Sequence, residues 1–148
     1  MNLKSTLLVA LTTGILSGCA SLLSVSAPVL AMLEDDLFTG VAVGYASGTG
    51  TIDVVSTINP AIKCVGSFAY TGTKVGRGEM KCNDGNAATF QFNGLTMASG
   101  YGYGSTTRGG MSFTFGLTTN EAVQYLKLPK GKTLKETAKD KRARLVDV

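Results

Sequence analysis

Between Thr39 and Gly116 apolar and polar residues alternate with a period of two, and each run is closed by Gly, Asn, Asp or Pro. Successive side chains of a strand point to opposite faces, so this alternation sorts one face inward and the other outward, and the breakers mark turns. Ala88, Phe90 and Phe92 alternate with Thr89, Gln91 and Asn93, and Met111, Phe113 and Phe115 alternate with Ser112 and Thr114. Val41, Val43 and Tyr45 share one face ahead of Gly48-Thr49-Gly50, and Cys64, Gly66, Phe68 and Tyr70 share a face in a later run. Met80 and Cys82 share parity before Asn83-Asp84-Gly85, a turn signal in which Asp-Gly readily supplies positive φ. Six or so strands spaced by about a dozen residues predict an all-β domain over residues 39–116, a small antiparallel meander forming a barrel or sandwich. The aromatic residues and cysteines are expected in its core, with Thr, Gln, Asn and Lys facing water.

The chain has 148 residues, 44% of them apolar and 16% charged, with 19 Gly, which suits one Gly-punctuated domain of ordinary size. After Gly116, Thr118-Thr119-Asn120-Glu121 places a polar cap and an early acid before Ala122–Leu126, the start of a short helix that ends by Pro129. Residues 117–148 are therefore expected as a short C-terminal helix and a basic tail, partly helical from Thr133 to Leu145. The net charge of +4 belongs to this tail. From Lys127 onward eight basic residues face three acidic ones, whereas from Cys19 to Leu126 five basic residues face seven acidic ones. A near-neutral body does not point to nucleic acid.

Lys4 and the apolar run Leu7–Leu16 have the charge and length of a cleavable signal, too short to span a bilayer. Leu16-Ser17-Gly18-Cys19 then resembles the lipobox of bacterial lipoprotein precursors: an aliphatic residue, two small residues and a cysteine. The resemblance implies a signal peptide over 1–18, a diacylglyceryl thioether on Cys19, and a lipidated tether over 19–38. Two or three acyl chains (palmitate is typical) anchor a domain stably where one does not. Ala20, where an Asp would mark inner-membrane retention, implies the outer membrane, with the domain in the periplasm or at the surface. The rival is conventional cleavage after Ala31 in Val29-Leu30-Ala31.

Three cysteines in an exported chain leave one to explain, and the lipid takes Cys19. Cys64 and Cys82 remain as a disulfide pair closing a loop worth about 3 kcal/mol by chain entropy. The alternative, a reduced or redox-active pair, lacks the Cys-x-x-Cys spacing that tunes a thiolate.

The absence of His removes Ser-His-Asp, Cys-His and His-based metal chemistry. Asp35, Asp36, Asp53, Glu79 and Asp84 carry no catalytic motif, and no oxygen-rich loop suggests Ca²⁺. Gly100-Tyr101-Gly102-Tyr103-Gly104 has the wrong spacing for a phosphate loop. In a strand such alternation lets the sheet bend, or lets an aromatic residue lie on bare backbone. The other reading is a surface on which Tyr101, Tyr103 and Arg108 contact a protein or glycan. The tail offers Lys127, Lys130, Lys132, Lys141, Arg142 and Arg144 for an acidic partner, unless these are simply solvated.

Cys82-Asn83-Asp84-Gly85 and Ser99-Gly100-Tyr101-Gly102-Tyr103 are similar to patterns in membrane-bound lysozyme-inhibitor lipoproteins, which are disulfide-bearing antiparallel barrels. That resemblance implies Ser99 and Tyr103 as contacts to an enzyme's active site, although the family's Lys-Gly motif and cysteine spacing are missing here. The expectation is a lipid-anchored envelope protein with a structural, assembly or binding role and no enzymatic activity. The alternative is an inhibitor or immunity protein against a wall hydrolase. Its expected partners are the membrane and an envelope protein or glycan, without a cofactor, a metal or an evident small-molecule substrate.

Overall fold

A computed structural model describes residues 23–148; the signal peptide and Cys19 lie outside them. Eight strands follow one another: β1 (Ser24–Leu33), β2 (Asp36–Tyr45), β3 (Thr49–Ser56), β4 (Lys63–Tyr70), β5 (Val75–Cys82), β6 (Ala87–Thr96), β7 (Ser99–Thr106) and β8 (Gly110–Phe115). Each pairs antiparallel with the next, and β8 returns to β1, closing a barrel with no free edge. The meander is thus a barrel rather than a sandwich.

Residues 24–38, expected as a tether, are β1 and the start of β2, so the β domain begins before Thr39. Pro28 does not interrupt β1. Its carbonyl accepts from the Gly116 amide at 2.8 Å. The N and C=O of a strand residue face the same side, so the missing N–H points past the last β1–β8 pair, Val29↔Phe115, where the ladder ends. Ala31 and Leu33 face the barrel interior, whereas Leu30 and Met32 face outward and are covered by the C-terminal segment. With both faces covered, β1 reads as an apolar run without alternation.

Inward positions carry the first core: Val29, Phe38, Val54, Met80, Phe90 and Phe113 among others. On β2 the inward set is Phe38, Gly40, Ala42 and Gly44. Tyr45, an aromatic residue expected in the core, is half-buried on the outward parity with Val43, and Val41 on the same face is exposed. The glycine repeats serve the aromatic rings. Phe92 lies in register between Gly76 and Gly102, and Phe90 between Gly78 and Gly104. A Cβ at Gly76 or Gly78 would overlap the ring opposite it. Gly100 and Gly102 stand in the same relation to Phe115 and Phe113, which bears out the bare-backbone reading of the Gly-Tyr stretch.

The chain then covers one outer wall. Thr118 caps α1 (Thr119–Ala122), accepting from the Glu121 amide while the Glu121 carboxylate accepts from the Thr118 amide. The stretch from Thr133 to Leu145 is not partly helical as expected: β9 (Lys132–Glu136) and β10 (Ala143–Asp147) form an antiparallel hairpin. Leu126, Leu134 and Ala143 bury against Met32 and Leu37, and this apolar anchoring fixes the hairpin despite its charged composition.

Candidate functional site

The two ends of the barrel differ. At the end where β1 finishes, the inward residues Leu33, Val54, Cys64, Met80 and Met111 fill the interior. A disulfide joins Cys64 and Cys82 directly across β4 and β5. The turns here are cross-tied. Asn83 accepts from the Lys63 amide at 3.0 Å and donates to the Ala61 carbonyl at 2.8 Å. Thr107 donates to Asn86, Arg108 donates to Asp84 at 2.7 Å, and Ser56 donates to Asp36 at 2.6 Å.

At the opposite end the interior is open. The inward positions of β1 and β2 are small there, with Ala27 in register with Ala42 and Gly44 beyond. On the facing wall Phe68, Tyr70, Phe92 and Phe115 stand edge to face, with ring centroids 4.9–6.4 Å apart. Small residues against a wall of rings leave a cavity of about 760 Å³, within the range of small-molecule sites. An eight-stranded barrel is just wide enough to be filled by its own side chains or to leave space of small-ligand size; here the lower half is filled and the upper half is open.

The cavity wall is apolar. Its polar side chains are Thr73, Lys74 and Thr96 at the mouth and the tyrosines Tyr45 and Tyr70, and Lys74 is the one charged side chain in the lining among the described residues. The rim is apolar too: Met97 is 93% exposed and Leu23 79%, with Val25 and Leu95 also outside the core. Solvent-exposed apolar side chains clustered at the mouth of a cavity mark a binding surface. The outer wall carries Asp53, Arg77, Glu79, Lys81, Gln91 and Asn93, so the barrel is apolar inside and polar outside, the reverse of a membrane-spanning barrel. No helix among the described residues is long and apolar enough to cross a membrane.

The residues expected to meet a partner are not brought together. Tyr101 stacks on Tyr125 with centroids 4.4 Å apart, and Lys127 sits 5.3 Å over the Tyr103 ring, so both tyrosines help dock the C-terminal segment. Arg108 lies at the closed end on Asp84. Lys132 pairs with Asp147 across the hairpin, and Arg142 pairs with Asp140 in its turn. Lys130, Lys141 and Arg144 are exposed. Ser99 is buried and shares a hydrogen bond with Thr96 at the open end, whereas Asn83-Asp84-Gly85 forms a turn at the closed end. The two patterns shared with lysozyme-inhibitor lipoproteins therefore stand at opposite ends of the barrel.

The carboxylates do not converge either. Asp53 and Glu79 lie on the outer wall. Burial pushes the Asp36 carboxyl above its ordinary value, opposed by the Ser56 hydrogen bond. The Asn86 amide, and then Arg108, hold Asp84 below its ordinary value. No group of three or more His, Cys, Asp or Glu side chains that could hold a metal occurs among the described residues. A cavity of small-molecule size at the open end, absent from the expectations drawn from the sequence, is thus a concave feature of the described residues. Its signal was the clustering of small inward residues at one end, visible only once β1 and the parity of β2 are known. Comparison with protein-family models, curated proteins and solved structures finds no match.

Proposed function

We propose that this chain is a lipid-anchored envelope protein whose barrel binds one apolar ligand at the outer membrane, a binding role without catalysis. The observation that carries the reading is the cavity of about 760 Å³, with a mainly apolar wall and a mouth rimmed by Leu23, Val25, Leu95 and Met97. The lipobox at Leu16-Ser17-Gly18-Cys19 supports the anchor. Strand order adds to this. β1 begins at Ser24, so processing at Cys19 leaves the barrel whole, whereas cleavage after Ala31 would remove most of the strand that closes it.

Mass spectrometry of the protein extracted from membranes tests both halves. Under denaturing conditions the expected mass is that of a chain starting at Cys19 with added acyl groups. Under native conditions one bound apolar molecule is expected, lost when Ala27→Phe and Ala42→Phe fill the upper cavity while the thermal melt stays cooperative. A mature chain without acyl mass overturns the anchor. A cavity that carries nothing, or a ligand untouched by the filled variant, overturns the binding role.

A further inference from the structure

We infer that the open rim docks on the lipid bilayer and that the cavity takes up the acyl chain of an anionic single-chain amphiphile, whose head pairs with Lys74; this rests on the ligand-binding reading above. Three observations converge. First, the rim residues Leu23, Val25, Leu95 and Met97 project apolar side chains into solvent from two neighbouring regions of the mouth, the N-terminal entry and the β6–β7 turn. Leu23 and Met97 have no partner among the described residues that would repay their exposure, and a bilayer supplies one.

Second, the direction of the chain agrees. Leu23 stands at the mouth four residues after Cys19. Four extended residues span at most roughly 14 Å, so a lipid on Cys19 holds the open end, not the cross-tied end, against the membrane. The charged turns containing Glu34, Asp35 and Asp84 belong to the far end.

Third, size and charge select the ligand. A space of about 760 Å³ falls within the range of small-ligand sites and has room for an acyl chain. Below the mouth the lining side chains are apolar except for the Tyr45 and Tyr70 hydroxyls, so the buried part of the ligand is largely hydrocarbon. At the mouth Lys74 follows the β4–β5 turn, its carbonyl accepting from the Gly94 amide at 2.6 Å, which fixes its backbone against β6. No carboxylate among the described residues pairs with its ammonium. An ammonium at the water line beside the Thr73 and Thr96 hydroxyls complements a carboxylate or phosphate head whose tail lies inside.

The chain contains no Trp, so one introduced indole reports on one place. The full-length protein is reconstituted in phosphatidylethanolamine–phosphatidylglycerol vesicles with brominated acyl chains. Met97→Trp at the rim is expected to be quenched severalfold and Ile58→Trp at the closed end is not. Equal quenching of both, or none at Met97→Trp, overturns the docking. In the same vesicles photoactivatable palmitate, lysophosphatidylglycerol and hexadecanol are crosslinked and mapped. The two anionic probes separate a fatty acid from a lysophospholipid as the source of the head. At least one is expected to label peptides containing Phe68 or Phe92. Lys74→Glu should cut that labelling about tenfold and leave hexadecanol unchanged, with Lys74→Arg restoring it. Lys74→Glu affecting all probes alike, or none, overturns the head-group reading. Anionic uptake only in a Cys19→Ala chain would place the protein's own anchor in the cavity and overturn uptake from the bilayer. Should native mass spectra show a bound ligand while these tests fail, this inference falls and the ligand-binding role stands.

Discussion

The closed and open ends of the barrel are made by the same eight strands, yet their turns are held in different ways. At the closed end side-chain hydrogen bonds cross between turns: Asn83 bridges to Ala61 and Lys63, Thr107 to Asn86, and Arg108 to Asp84. At the open end Ser47 bonds Thr49, Thr71 bonds Val75 and Thr96 bonds Ser99, each within its own turn. Interior packing follows the same division, with methionines and a disulfide below and small residues opposite rings above. Among the described residues, side chains tie one turn to another at the closed end, whereas at the open end the ties from turn to turn are made by the backbone, as from the Tyr70 amide to the Gly48 carbonyl at 2.8 Å.

The largest effect that would test this division is at Met80, fully buried in the filled half. Met80→Ala removes three heavy atoms where the surroundings cannot collapse, and should cost about 3–5 kcal/mol in a urea melt. Loss of less than about 1 kcal/mol would mean the lower half is as slack as the upper. Next comes the staple. Replacing Cys64 and Cys82 together by Ala opens a loop with a sequence separation of 18 and should cost about 3 kcal/mol by chain entropy. Amide exchange should then quicken at the closed end first. Quickening confined to the mouth would contradict the view that the disulfide holds the base.

A smaller effect sharpens the contrast by adding atoms. Enlarging a packed interior usually costs about 1–3 kcal/mol, and Ala88→Leu, inward in the closed half, should show it. Ala42→Leu points into the cavity and should cost less than about 0.5 kcal/mol, since the added methyls meet space and gain apolar contact. Equal costs at the two sites would mean the upper cavity collapses in solution.

Much of this division was hidden in the sequence for identifiable reasons. The alternation from Ala88 to Asn93 and from Met111 to Phe115 named its strands directly, because there one face meets the core and the other meets water or polar neighbours. Asn83-Asp84-Gly85 likewise announced its turn, and Gly85 has φ of 87°. β1 escaped because both of its faces are covered, inward by the barrel and outward by the C-terminal segment, which erases the period of two. On β2 the larger side chains Val41 and Val43 face outward while Gly40, Ala42 and Gly44 face in, so size suggested the wrong parity. β9 and β10 escaped because half of their ten residues are charged, while only Leu134 and Ala143 are buried. The cavity inherits all three difficulties, being defined by β1, by the inward parity of β2 and by a mouth to which Leu23 belongs. The surface that was legible, Tyr101 and Tyr103, proved to be the seat of the chain's own C-terminal segment.

The smallest expected effect concerns Asp36, at the start of β2 in the closed end. Its Oδ2 accepts from Ser56, while Oδ1 is buried without a protein partner. Burial raises its pKa, so the folded protein holds a proton on this group at a pH where the unfolded chain has released it. The folded state then binds more protons than the unfolded one, and this group's contribution to stability declines as pH rises from near 4 through the raised folded value. Asp84, Glu121 and Asp140 have lowered values and act in the opposite sense, contributing stability at neutral pH that is lost on acidification. The measurement is therefore a difference: unfolding free energy of Asp36→Asn minus that of the unaltered protein, by denaturant melts across pH 4 to 7. An amide oxygen still accepts from Ser56 and never ionises. The variant should gain relative stability as pH rises and level off once the wild-type carboxyl is ionised in both states. A difference that is flat, or that grows toward acid, would show that Asp36 is well solvated and that the closed end admits water at the base of β2.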